Sequence, residues 1–150
     1  MRRRKDSHRR PKRKQNPSPN KIPTSVEDVN ALESKQFKWR ATSGYIDYDE
    51  EEWGWDYVEM KKFFDKCLKH LQLYETMTWM RIKEEDHCHP VSLKDIVPRA
   101  QNRVISKYGE LDNLWQVKAE GRCRLFGCKE GQIFYLIWHD ERHTVCPGGK

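Results

Sequence analysis

The chain has 150 residues, 36% of them hydrophobic, with six Trp, six Tyr and five Phe and a formal net charge of +6. That is enough apolar material for one small domain. No apolar run approaches the roughly 18 residues of a membrane span, and the basic N-terminus lacks the apolar segment of a signal peptide, so the expected address is the cytoplasm with no membrane partner. The cysteines, Cys67, Cys88, Cys123, Cys128 and Cys146, are odd in number and scattered through apparent core elements, which fits reduced thiols better than a disulfide framework.

The charge is concentrated at one end. Residues 1–21 hold ten of the 29 basic residues and one of the 23 acidic ones, leaving 19 bases against 22 acids, a balance of −3, for the rest. With Pro11, Pro17, Pro19 and Pro23 and no apolar periodicity, residues 1–24 are expected to be a disordered basic tail, and residues 25–150 a single domain. Arg2, Arg3, Arg4, Arg9, Arg10, Lys12, Arg13 and Lys14 suit loose, salt-dependent attachment to nucleic acid through counterion release; a merely solubilising tail fits the same composition.

Residues 25–35 space Val26, Val29 and Leu32 for one face of a short helix behind Ser25. Residues 37–48, rich in aromatic and β-branched side chains but interrupted by Gly44, read as an outer strand with a bend. An acidic turn follows, and then the clearest helix, over residues 55–74, with Met60, Phe63, Phe64, Cys67, Leu68, Leu71 and Tyr74 on its apolar face and Lys61, Lys62, Lys66 and Lys69 opposite. Residues 78–82 are expected to be extended. The sequence His87-Cys88-His89-Pro90 reads as a loop leading into a helix; a zinc-stabilised adaptor would need Cys67, Cys123, Cys128 or Cys146 to complete it, and the paired spacings of zinc ribbons and fingers are missing, so no metal is assigned. Residues 92–108 form a second helix, regular from an N-cap near Asp95 because Pro98 is tolerated only in the first turn, and stopped by Gly109.

Residues 115–145 read as three strands joined by glycine-containing turns. Gln132 to Trp138 is apolar at nearly every position, which predicts a central strand covered on both sides. Strict alternation places Ile133, Tyr135, Ile137 and His139 on one face, and Arg122 and Arg124 together on a face of the preceding strand. If those faces coincide, a histidine and two guanidiniums converge, joined by Arg142 and His143 just beyond.

This order of elements, an α+β fold with two helices packed on a small, mainly antiparallel sheet (β-α-α-β-β-β), resembles the RelE/ParE-type toxins of bacterial toxin-antitoxin modules. The segments WGWDYVEMKKFFDKCLKHLQLYETMTWMRI, HPVSLKDIVPRAQNRVISKYGE and RCRLFGCKEGQIFYLIWHDERHTV carry the resemblance, more closely to small bacterial and phage proteins associated with that superfamily. It implies a ribosome-dependent mRNA endonuclease without a cofactor, in which an RNA 2′-OH attacks the adjacent phosphate, and it implies RNA, the ribosome and a cognate antitoxin as partners. Arg124 matches the family's middle-strand arginine, and Arg142 and His143 match its terminal catalytic group. Strand parity adds His139 as a catalytic candidate and Arg122 as an RNA contact. Histidine suits the proton transfers and arginine the phosphate. The alternative is a non-catalytic accessory factor that binds nucleic acid or protein, as gyrase-inhibiting members of the superfamily do; the −3 balance outside the tail favours it.

Overall fold

The computed structural model describes residues 34–148. The basic tail and nearly all of the helix expected at 25–35 lie outside the described residues. The chain forms strand β1 (Lys38–Arg40), helix α1, helix α2 (Trp79–Glu84), strand β2 (Cys88–Pro90), helix α3 (Pro98–Tyr108) and strands β3 (Leu114–Lys118), β4 (Arg124–Glu130) and β5 (Ile133–Asp140). Helix α1 is built from an α-helical turn Met60–Lys62, a π-helical segment Phe63–Leu68 and an α-helical Lys69–Glu75.

The five strands lie in the order β1-β5-β4-β3-β2, with β1 parallel to β5 and the other pairs antiparallel. The fold is therefore α+β with a mixed sheet. Its element order departs from β-α-α-β-β-β, because strand β2 separates the first two helices from α3. The central strand is β4 rather than the more apolar β5, whose outer neighbour is the three-residue β1. Residues 41–48, expected to extend that outer strand, leave the sheet after Arg40.

Adjacent residues of β4 show why the sheet is covered on both sides. Leu125 packs with Phe37, Cys67, Leu71, Tyr74, Trp79 and Ile82 from the α1–α2 side, while Phe126 packs with Trp53, Ile96, Ala100, Val104 and Trp138 on the α3 side. Both are fully buried, and each contributes roughly 1.5–3 kcal/mol by leaving water.

Local chemistry explains three departures from the sequence reading. Thr78 accepts a hydrogen bond from the Arg81 backbone N–H, and Trp79 and Ile82 bury at i and i+3, so residues 78–82 open a helix instead of a strand. The His87–Pro90 segment, expected as a loop, pairs with β3 as an edge strand; Pro90 at its end has no ladder donor to lose. In α3, Val97 in extended geometry precedes Pro98 at the first helical position, two residues later than an Asp95 cap would place it, and Gly109 at φ 76° ends the helix.

The π segment carries one extra residue per turn and shifts the apolar stripe of α1. Cys67, Leu71 and Tyr74 remain buried, whereas Met60 and Phe64 are 74% and 48% exposed. A second irregularity lies in β5: the register runs Phe126↔Trp138 and then Gly127↔Leu136, leaving Ile137 as the extra residue of a β-bulge. Gly127 is required there, since a Cβ would stand 2.2 Å from the Tyr135 carbonyl oxygen and 2.7 Å from the Phe134 ring.

Candidate functional site

The bulge decides where the expected site residues go. Ile137 and Trp138 both enter the α3-side core, so His139 turns to the α1 side, where it lies opposite Leu125. Arg124 lies opposite Asp140 and Lys118, on the α3 side by alternation. His139 and Arg124 are consequently on opposite faces of the sheet. The four expected catalytic side chains divide into three groups.

The first group gathers at the α3-side end of the sheet. Gln116, 1% exposed, faces His89 across the β2–β3 pair, with its amide nitrogen 3.2 Å from His89 Nε2. Arg124, 9% exposed, folds its guanidinium back so that Nη1 donates to the Gly121 and Cys123 carbonyls, both at 2.9 Å. His143 sits in the turn after β5 at φ 59°, a left-handed geometry uncommon for a side-chain-bearing residue. Burial lowers its pKa below the ordinary imidazole value, and the positive charge of Arg124 adds to the shift against the opposing pull of Asp140. His143 is therefore neutral near pH 7. Three buried polar atoms here, Gln116 Oε1, Arg124 Nε and His143 Nε2, have no hydrogen-bond partner, and such atoms are few in folded proteins.

The second group is a cleft of about 430 Å³ lined by Lys66, Glu120, Gly121, Arg122, Glu141 and Arg142. The Lys62 ammonium lies 3.0 Å and that of Lys66 3.6 Å from Glu141, so one of the two lining carboxylates is already neutralised. Arg122 and Arg142 are exposed. The cleft thus offers cationic side chains from α1, from the β3–β4 turn and from the segment after β5.

His139 makes the third group. Its Nε2 lies 3.4 Å from Cys123 Sγ, which lies 3.9 Å from Cys67 Sγ, and these three ligand-type atoms are all within 4.8 Å of one another. The Cys67 thiol is pushed up, first by the hydrogen bond it makes to Cys123 and then by burial. Cys123 is pulled down by the same bond, against burial, with help from His139. His87, Cys88 and His89 do not form a set of their own: Cys88 enters the α1-side core, and His89 turns to Gln116 on the other face.

A fourth buried polar cluster is complete. Asp47, fully buried, receives Nε and Nη2 of Arg103 at 2.9 and 2.7 Å, Lys107 Nζ at 3.0 Å and Trp138 Nε1 at 2.8 Å. Burial pushes its pKa up, but these donors overcome that and hold the carboxyl well below the usual range.

The chain belongs to the family described as uncharacterised protein UU032, whose profile matches residues 49–150. The match takes in all three groups and leaves out the basic tail. No curated protein and no solved structure matches the chain. Among the described residues, no helix is long and apolar enough to cross a membrane.

Sequence reasoning named Arg122, Arg124, His139, Arg142 and His143 but missed Gln116 and the joining of Cys67 to Cys123 and His139. Gln116 had a legible signal, a lone amide among apolar strand positions. The thiol–imidazole grouping had none, because a bulge in β5 carries the imidazole to the thiols' face.

Proposed function

We propose that the protein binds RNA without cutting it, as an accessory factor that grips the phosphate backbone. The observation that carries this reading is the cleft where Lys66, Arg122 and Arg142 converge, three cations against two carboxylates, one of them ion-paired. Arginine forks match phosphate oxygens, and the ten basic residues of the tail add affinity that depends on released counterions rather than on sequence. The division of His139 from Arg124 also favours binding over chemistry, since acid–base catalysis needs its groups around one substrate.

A second reading keeps a metal-independent endoribonuclease of RelE/ParE type, acting on the ribosome and restrained by an antitoxin. Arg124 and His143 support it: a guanidinium and a neutral imidazole on one face of the sheet, each with an unpartnered buried nitrogen. There His143 would take the 2′-OH proton and Arg124 would steady the phosphate.

Fluorescence anisotropy of the full chain on single-stranded RNA across a salt series tests the first reading. Binding should weaken steeply with salt, and Arg122→Ala and Arg142→Ala should each reduce the slope of log K against log salt by about 1. Absence of binding at low salt would reject it. Cleavage of a translated message, lost in Arg124→Ala and His143→Ala but retained in Arg142→Ala, would instead establish the second.

A further inference from the structure

We propose that Cys67, Cys123 and His139 form a binding site for a single zinc ion. Zinc bonds of about 2.3 Å to sulfur and about 2.0–2.1 Å to nitrogen, set at a tetrahedral angle, require ligand separations near 3.8 Å between sulfurs and about 3.5–3.6 Å between sulfur and nitrogen. The two sulfurs are 3.9 Å apart and Cys123 Sγ is 3.4 Å from His139 Nε2, while Cys67 Sγ and the imidazole lie within 4.8 Å of each other. Two of the three separations already match a coordination shell.

A bulge and an irregular helix supply the ligands. Cys67 lies in the π-helical segment of α1, on the buried face that it shares with Leu71 and Tyr74. His139 reaches this face only because the bulge at Ile137 reverses its direction. A π turn and a bulge are each less regular than the element they interrupt, and both recur at sites where a side chain must be aimed. Here they aim at one point from separate elements. Trp55 donates its indole N–H to the bulged Ile137 carbonyl at 3.0 Å, and its ring packs 5.8 Å from that of His139, which holds the imidazole in place.

Two thiols and an imidazole form a soft donor set that favours zinc over magnesium or calcium. Zinc takes sulfur as thiolate, so each ligand thiol gives up its proton to solvent on coordination, and binding is coupled to proton release. Three protein ligands leave a fourth position, filled by water or by Glu141 of the adjoining cleft, whose charge acts on both Cys67 and His139. Ordinary core thiols would also bury here, but they do not require an imidazole nitrogen at coordination distance.

The reduced full chain, loaded with zinc and exchanged into metal-free buffer, should retain one zinc per chain by native mass spectrometry. Cobalt(II) in its place should give sulfur-to-cobalt charge-transfer absorption together with intense tetrahedral bands. Cys123→Ser and Cys67→Ser should abolish the charge-transfer band or sharply reduce it, while Cys128→Ser, altered on the opposite face, should keep it. If a cysteine variant does not fold, the wild-type cobalt spectrum still decides. Absence of the thiolate band while all five thiols remain reduced overturns the proposal, as does a band that survives Cys123→Ser but not Cys128→Ser.

Discussion

Two buried polar clusters sit on the α3 side of the sheet, and they are finished to different degrees. Around Asp47 both carboxylate oxygens accept hydrogen bonds, from a bidentate arginine, a lysine and an indole, and the result ties α3 to the segment before α1 and to β5. Around Arg124 three atoms are left over. A network with every member paired specifies the fold, whereas buried donors and acceptors that the protein itself leaves unpaired cost stability unless another group meets them.

The comparison is broken most severely at Asp47. Asp47→Ala leaves the buried Trp138 indole without its acceptor and Arg103 with only the exposed Asp49, and should cost about 1.5–3 kcal/mol of unfolding free energy in urea titration. Arg124→Met removes a charge that is only partly satisfied, and should change stability by less than about 1 kcal/mol while removing whatever depends on the guanidinium. If the two substitutions proved equally damaging, the contrast between the clusters would be wrong.

Acid separates them next. Asp47 has a folded-state pKa below its unfolded value near 3.9, so its contribution is complete above that pH and is lost as pH falls through the lower folded value. His143 is likewise lowered, from about 6.5, so its contribution is full above that value and begins to fade at milder acidity. Stability against pH should therefore fall in two stages, with the deeper one abolished in Asp47→Asn. Histidine NMR titration sharpens the assignment: Arg124→Met should raise the His143 midpoint toward ordinary imidazole without restoring it fully, because burial is the larger cause. The smallest effect belongs to the exposed rim, where Arg122→Ala and Arg142→Ala should alter thermal stability by no more than about 0.5 kcal/mol.

Much of this architecture was legible in the residues. The three C-terminal strands and their order, the apolar face of α3 and its stop at Gly109 follow from period, turn chemistry and the fixed φ of proline. The placement of His139 does not, because alternation from Tyr135 is broken at Ile137, and no residue type in β5 announces a bulge. Its partner Gly127 was the only hint, and it reads equally well as a weak spot in a strand. Met60 and Phe64 misled for the parallel reason that a π turn keeps helical composition while displacing the face. One inserted residue divides the grouping expected of Arg124, His139, Arg142 and His143, by carrying His139 to the other face of the sheet.

The outermost strands are three residues each, and Pro90 closes one of them. A neighbouring molecule seeking to extend the ladder finds few rungs and, at Pro90, no amide hydrogen. Crowded copies are thereby steered away from fibrillar stacking, and Pro90→Val, which lengthens the available edge, should shorten the lag before thioflavin-positive aggregates form.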